Sequence, residues 1–342
     1  MRPRVVIAAP LHNGQPHVAA ALGSLLAQTE RDFRLVLVDD ASTDGTADTA
    51  QELAAADDRV VVHRNPSRLG MLENTRRAWA LARAEAPEAE FVALASDHDR
   101  WHPDWLADLV AALDANPRAV LAYPQTARID AADARVPALK TWRCDTAGER
   151  HPLRRLRRAY RCMVAGDMIY GLMRADALAR VGVYRSVLVP DRLLLSQLAL
   201  LGEFVQVPRV RWERRFVGLA DLERQRRAFW PDGAPAYTRV PWWVTHAALV
   251  AWEQGVLGTC GDRRAGARLA AELLAAGARL RVVRRAQRVR LRVGRALERP
   301  VRAACALRPV REVIRRRALP VPGDTQRVLE RLLAESQDER AR

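Results

Sequence analysis

Phe91 to Leu106, FVALASDHDRWHPDWL, decides how the chain folds. Its apolar run, Phe91 to Ala95, has the length of a strand buried on both faces, and it stops at Asp97-His98-Asp99, where two carboxylates stand one residue apart. Pro103 suits the first turn of a helix and Asp104 favours its positive end, while Trp105, Leu106, Leu109, Val110 and Leu113 recur at helical spacing. The acidic tripeptide is therefore presented between a strand and a helix, at the carboxyl edge of a parallel sheet, where ligands of such folds bind. Two hard oxygen ligands in a short loop suit Mg2+ or Mn2+ held partly through a substrate's phosphates. The plainer alternative is that Asp97 and Asp99 only cap the following helix.

Upstream, the same alternation repeats. Arg4 to Ala9 reads as a buried strand ending in the turn cluster Pro10-Leu11-His12-Asn13-Gly14, and Val18 to Gln28 as a helix with Ala21, Leu22, Leu25 and Leu26 on one face. Phe33 to Val38 is a second strand running into Asp39-Asp40-Ala41-Ser42-Thr43-Asp44-Gly45-Thr46. Asp44 can cap the helix expected over Thr46 to Ala56, but Asp39 and Asp40 come too early, and two adjacent carboxylates need solvent, arginine or a ligand's donors. Val60 to His63 is a third strand and Met71 to Arg83 a further helix, which makes a mostly parallel α/β sheet with right-handed crossovers. Neither G-x-G-x-x-G nor G-x-x-x-x-G-K-[ST] occurs, so a dinucleotide Rossmann site and a P-loop are both disfavoured.

The net charge of +16 suggests nucleic acid until it is mapped. Asp262 to Leu319 holds 18 arginines and four acids, so +14 sits there and the rest of the chain carries only +2. Within it Val282, Ala286, Val289, Val293 and Leu297 recur at helical steps among arginines. A basic amphipathic helix of this kind suits an anionic membrane surface, and a solvated face packed on the domain is the rival. Nucleic acid is the weaker partner, because no aromatic residue between Asp262 and Arg342 supplies a stacking platform. Cys144, Cys162, Cys260 and Cys305 are far apart, which implies neither a zinc site nor a disulfide framework and fits a reducing cytosol. The N-terminal run Val5 to Leu11 is too short for a signal peptide, and no transmembrane span is expected; Trp242 to about Leu257 reads as an apolar helix broken by His246 and Glu253.

VVIAAPLHNGQPHVAAALGSLLAQTERDFRLVLVDDASTDGT resembles the opening of the family 2 glycosyltransferases, in which a strand ending P-x-x-N is followed by S-L-L-x-Q-T and V-D-D-x-S-x-D-G-T. The likeness continues through NPSRLGMLEN (Asn65 to Asn74) and into SDHDRWHPDWL, similar to the family's S-D-D-D-x-W-x-P-x-x-L with His98 where a third Asp is common. It covers roughly residues 3 to 218. The resemblance implies a GT-A type, Rossmann-like, mostly parallel sheet flanked by helices, with a C-terminal basic helical appendage. It also implies a nucleotide-diphosphate-sugar site, with a UDP-sugar favoured: Pro10, His12 and Asn13 lining the nucleotide pocket, Asp39 accepting from the base, Asp40 near the ribose, Asp97 at the ribose or sugar, and Asp99 on Mn2+ or Mg2+. Arg76 and Arg77 are candidates for diphosphate, against an ordinary exposed helix face.

Further along, Val120 to Tyr123 reads as a strand and the chain after Pro124 as irregular, Arg150 to Arg161 as a surface helix, and Met168 to Met173 as a strand. Asp167 is a candidate sugar contact or simply a turn residue. In Val187 to Leu201, Asp191 follows Pro190 at the head of a helix ended by Gly202. The resemblance makes Asp191 the base, although the family's preceding Glu is replaced by Pro190; the plainer reading is a cap. Arg214 and Arg215 are candidates for phosphate, and Phe216 stands where the family often has a His. Arg224 to Pro241 reads as loop.

These observations point to three segments: a GT-A domain over 1–218, a linker and apolar helix over 219–261, and an arginine-rich helical appendage with a charged tail over 262–342. The expected function is inverting, metal-dependent transfer of a sugar to an acceptor hydroxyl, on a sugar or lipid-linked acceptor in surface polysaccharide or glycolipid synthesis. The expected location is cytoplasmic, peripheral on the inner face of the membrane. A catalytically impaired nucleotide-sugar-binding protein is the alternative; a nucleotidyltransferase is disfavoured because Pro10 to Gly14 has no Gly-rich, Lys-containing loop.

Overall fold

The computed structural model describes residues 2–136, 145–163, 167–215 and 222–257, together with 271, 274 and 275. Apolar runs too short for helices alternate with amphipathic segments over the first hundred residues, and they fold accordingly. They give β1 (Val5–Leu11), α1 (Val18–Leu26), β2 (Phe33–Asp39), α2 (Thr46–Ala56), β3 (Val60–Arg64), α3 (Met71–Glu85) and β4 (Phe91–Leu94). β1 pairs in parallel with β2 and β4, and β2 with β3. β4 is buried throughout and β1 and β2 nearly so, as strands covered on both faces must be.

The second half adds β5 (Arg100–Trp101), α4 (Trp105–Asp114), β6 (Ala119–Ile129), β7 (Arg135–Val136), α5 (Pro152–Cys162), β8 (Leu172–Arg174), α6 (Ala175–Val181), α7 (Pro190–Leu201), β9 (Glu203–Arg215), α8 (Leu222–Phe229) and α9 (Trp242–Leu257). The sheet order is β3-β2-β1-β4-β8-β6-β9-β5, with β7 on β6. β8 runs antiparallel to both neighbours and β5 antiparallel to β9, while the other long strands share one direction. The carboxyl ends of β1, β2 and β4 thus lie along one edge, next to the end of β9.

Four expectations need correction. The strand expected to stop at Tyr123 continues through Pro124 to Ile129. Proline is tolerated because β8 meets β6 only at Leu121 and Ala122, and because the register with β9 slips at Pro124/Gln125. The helix expected to lie on the surface, α5, buries Leu156, Ala159, Tyr160 and Arg155. Arg155 donates to the carbonyls of Ala199 and Leu200, the last turn of α7, which have no partner within their own helix. Asp167–Tyr170 is a 3-10 turn, and the strand after it is only Leu172–Arg174. Arg224 to Pro241, expected as loop, contains most of α8 and a 3-10 turn at Ala236–Arg239. α8 carries a single buried apolar residue, Phe229, so it had no apolar stripe to betray it.

The chain divides into two units, Met1–Leu274 and Ala275–Arg342. The arginine-rich segment 262–342, apart from 271, 274 and 275, and the expected role of Phe216 lie outside the described residues. Among the described residues no helix is long and apolar enough to cross a membrane.

Candidate active site

Three loops at the carboxyl edge of the sheet are stitched together by the side chains singled out above. Pro10 is the penultimate residue of β1, opposite Val38. His12 donates its backbone N–H to Asp97 Oδ2 at 3.0 Å, and its Nδ1 lies 2.9 Å from the Asp40 carbonyl. Asn13, in the left-handed region at φ 50°, accepts from the Thr43 N–H at 2.9 Å and donates its own N–H to Ser42 Oγ. Gly14 packs directly under Asp97: a Cβ there would stand 3.1 Å from the carboxyl group.

The adjacent pair Asp39 and Asp40 is divided by its surroundings. Asp40 Oδ1 accepts from Asn65 Nδ2 at 2.8 Å and the Leu69 N–H at 2.7 Å, and Oδ2 from the Gly70 N–H at 2.9 Å. Its carboxylate therefore holds the 65–70 loop. Asn65 also donates to Asn74, which braces the Val38 carbonyl at 3.0 Å. Gly70 has φ 86°, and a Cβ there would lie 2.8 Å from the Phe229 carbonyl, so both its backbone and its packing demand glycine. Asn65, Gly70 and Asn74 of NPSRLGMLEN are thus explained as the frame of this loop. Asp39 is wholly buried; Oδ2 accepts from the Ser42 N–H and lies 3.3 Å from Arg64 Nε, while Oδ1 has no partner. An unpaired buried carboxylate oxygen is costly unless a ligand supplies a donor.

Asp97, His98 and Asp99 follow β4. His98 Nδ1 lies 2.7 Å from Asp97 Oδ1, and Nε2 is 3.9 Å from Asp99 Oδ1. Burial would lower the His98 pKa, but the Asp97 hydrogen bond and the charges of Asp99 and Asp97 outweigh it and raise it. Asp99 is buried and accepts from the backbone N–H of Arg215 at 2.8 Å. The Arg215 guanidinium is consumed inside the protein: Nε donates to the His98 carbonyl at 2.8 Å, and the other nitrogens go to the Asp130 carbonyl and Asp133 Oδ1. Arg215 therefore clamps the acidic loop, which corrects its expected phosphate role. Arg214 pairs with Asp167 at 2.5 Å and lies over the Trp212 ring.

Tyr170 brings the two halves of the site together. Its ring stacks on Trp212 with centroids 4.8 Å apart. Burial raises its pKa, and the carboxylates of Asp99, Asp191 and Asp97 raise it further while Arg214 opposes them. The charges of Asp97, Asp99, Asp191 and Arg214 thus all reach this tyrosine, and Arg214 is in turn paired with Asp167. The Asp191 carboxyl is itself pushed above the ordinary range by burial, against the nearby charges of Arg192 and Arg214. Two residues before it, Val189 has φ 55°, a left-handed conformation that costs a β-branched residue on the order of 1–3 kcal/mol. Arg76 stands apart: it donates to the Tyr184 carbonyl and Ser186 Oγ, and Arg77 is an exposed residue of α3.

Tyr170, Trp212 and Arg64 had no motif to mark them. Only their contacts reveal them.

Among the described residues no group of three or more His, Cys, Asp and Glu side chains is placed to hold a metal ion. The donor set still fits an ion completed by a substrate: Asp97 and Asp99 offer hard carboxylate oxygens, and a magnesium-like ion commonly takes one or two carboxylates plus phosphates.

The family model described as Glycosyl transferase family 2 matches residues 6–173. The putative teichuronic acid biosynthesis glycosyltransferase TuaG of Bacillus subtilis (strain 168) is 30% identical over 106 residues, 31% of this chain and 40% of that protein. The putative glycosyltransferase EpsH of the same organism is 28% identical over 109 residues, 32% of this chain and 30% of its own. The chain thus spans well under half the length of these curated relatives. Among solved structures, S. aureus TarS 1-349 in complex with UDP-GlcNAc superposes with a TM-score of 0.55 at 16% identity, over 80% of this chain and 72% of that one. The mannosyltransferase PcManGT from Pyrobaculum calidifontis, in complex with GDP-Man and Mn2+, gives 0.51 at 19% identity, over 91% and 83%. At such identities the likeness shows the fold, and that fold is GT-A.

Proposed function

We propose that this chain, whose residues 6–173 match the Glycosyl transferase family 2 model, belongs to that family and moves a sugar, with inversion, from a nucleotide diphosphate to an acceptor hydroxyl. One observation carries the reading. The charges of Asp97 and Asp99, just after β4, and of Asp191, at the head of α7, all act on the same half-buried tyrosine, Tyr170.

Each residue has a chemical part. Asp39 Oδ1, buried and unpartnered, takes the imide N–H of uracil or guanine, a donor that cytosine lacks. His12, Asn13 and Pro10 form the floor beside it. Asp97 faces the ribose or sugar, and Asp97 with Asp99 would hold a divalent cation. When bound, such an ion neutralises the charge that develops on the leaving diphosphate. Asp191 accepts the proton of the acceptor hydroxyl; burial makes its carboxylate a better base than a solvated aspartate. Attack on the anomeric carbon opposite the leaving diphosphate inverts its configuration. Arg214 and Asp167 form the wall on the acceptor side. The name of TuaG, a putative teichuronic acid biosynthesis glycosyltransferase, supports an acceptor in surface polysaccharide synthesis, and the arginine-rich 262–319 supports work at an anionic membrane surface.

Calorimetric titration of UDP, GDP, dTDP and CDP, each with Mn2+ and with chelator, tests the reading. Metal-dependent binding of an imide-bearing nucleotide, followed by turnover of its sugar conjugates, supports it. Binding of none, with metal present, overturns it.

A further inference from the structure

The segment that delivers Asp191, Tyr184 to Val189, is gripped from behind by residues that no motif marks. The Val189 N–H donates to Gln225 Oε1 on α8 at 3.1 Å. His246 on α9, buried, has Nε2 2.8 Å from the Leu188 carbonyl. Tyr237 Oη donates to the Ser186 carbonyl at 2.7 Å, and Arg76 donates to the Tyr184 carbonyl at 2.7 Å and Ser186 Oγ at 2.9 Å. Tyr184, Val187 and Leu188 are buried beneath this grip.

The geometry is over-determined at its most unfavourable point. Val189 is β-branched and left-handed, a conformation that persists only where the surroundings impose it. The N–H of Val189 and the carbonyl of Leu188, the donor and acceptor of the single peptide unit that leads into the strained residue, are the groups that Gln225 and His246 hold. Pro190 then fixes the entry to α7, and Asp191 follows at its second position. Relaxing Val189 to an extended or right-handed conformation would swing the start of α7 and the Asp191 carboxylate with it. All of α8 and α9 lies beyond the family-matched residues 6–173.

We propose that Gln225 and His246 are positioning residues for Asp191, holding the Leu188-Val189 peptide so that the base meets the acceptor hydroxyl. The proposal rests on the proposed role of Asp191, and its test separates the two. In the full chain, Gln225→Leu removes the acceptor of the Val189 N–H, whereas Gln225→Glu keeps one. For folded Gln225→Leu, kcat should fall at least tenfold at saturating donor, with nucleotide Kd unchanged and recovery to within about threefold in Gln225→Glu. An unchanged kcat, or a fall matched by lost nucleotide affinity or shared by Gln225→Glu, overturns the proposal. His246→Leu, which removes the partner of the Leu188 carbonyl, gives the same readout should Gln225→Leu not fold. If the wild type shows no transfer with any donor, the function fails but the grip is still read by amide hydrogen exchange. Gln225→Leu should then speed exchange at Val189 at least tenfold without changing the middle of α7, and unchanged protection at Val189 sinks the inference.

Discussion

The backbone N–H of Arg215, last residue of β9, donates to Asp99 Oδ1 at 2.8 Å, and so ties the acidic loop after β4 to a strand 116 residues away. The bond does two things at once. It satisfies a buried N–H, and it fixes one oxygen of the carboxylate proposed to meet the metal.

Asp99→Ala and Asp99→Asn should therefore differ. The alanine leaves the Arg215 N–H buried and unpaired, at about 1–3 kcal/mol, and removes metal-dependent donor binding. Asparagine retains an acceptor for that N–H but loses the charge. We expect Asp99→Asn to melt near the wild type while its nucleotide binding no longer responds to Mn2+. Equal metal dependence in wild type and Asp99→Asn would remove Asp99 from the cation site.

Asp39→Asn is expected to weaken binding of an imide-bearing nucleotide by roughly 1–1.5 kcal/mol, about 5- to 10-fold, since the imide N–H then meets a neutral amide oxygen in place of a charged acceptor. Titration of the same four nucleotides reads the change. A uniform loss across all four bases would mark Asp39 as structural.

For Asp191→Asn two effects should run in opposite directions. Transfer should fall by about 10²–10⁴-fold with nucleotide Kd unchanged, as expected for loss of a general base. Stability should rise at neutral pH. Burial raises the Asp191 pKa in the fold, so its contribution is fully present below the unfolded value and lost as pH rises through the folded one. At pH 7 the ionised carboxylate is thus a liability that asparagine removes. Urea melts at pH 7 and pH 4 check this, and a variant destabilised at pH 7 contradicts it.

His246 makes the opposite prediction. Burial pushes its pKa down to about 4, against the favourable Leu188 contact. A depressed histidine contributes stability above its unfolded pKa of about 6.5, lost as pH falls towards the folded value. Wild-type stability should drop by up to about 3 kcal/mol over that window. His246→Gln should flatten this part of the profile; a slope equal to the wild type's would assign the acid sensitivity elsewhere.

Much of the fold was legible locally. α2 was expected over Thr46 to Ala56 and observed there, and α9 likewise over Trp242 to Leu257, because apolar periodicity and turn chemistry set such bounds from within the segment. β5 was not legible: two residues carry no period, and Arg100–Trp101 is a strand only because Glu213 and Trp212 pair with it. α8 and the burial of α5 were hidden for a related reason, since their partners are Gly70, Val189 and the end of α7, all far off in sequence.

The sequence by itself determined an α/β sheet of the GT-A kind and the three acidic or polar loops at its carboxyl edge, because strand length, turn residues and motif spacing are properties of short stretches. Only the tertiary structure decided which oxygens and cations those loops keep for a ligand. Asp39 and Asp40 are neighbours of one type, yet one has an unpartnered oxygen while both oxygens of the other accept, from Asn65, Leu69 and Gly70. Arg214 and Arg215 divide in the same way, between the Asp167 wall and the clamp on the acidic loop. Whether a lone pair is occupied depends on donors brought from other elements by the sheet order, and residue type does not encode that.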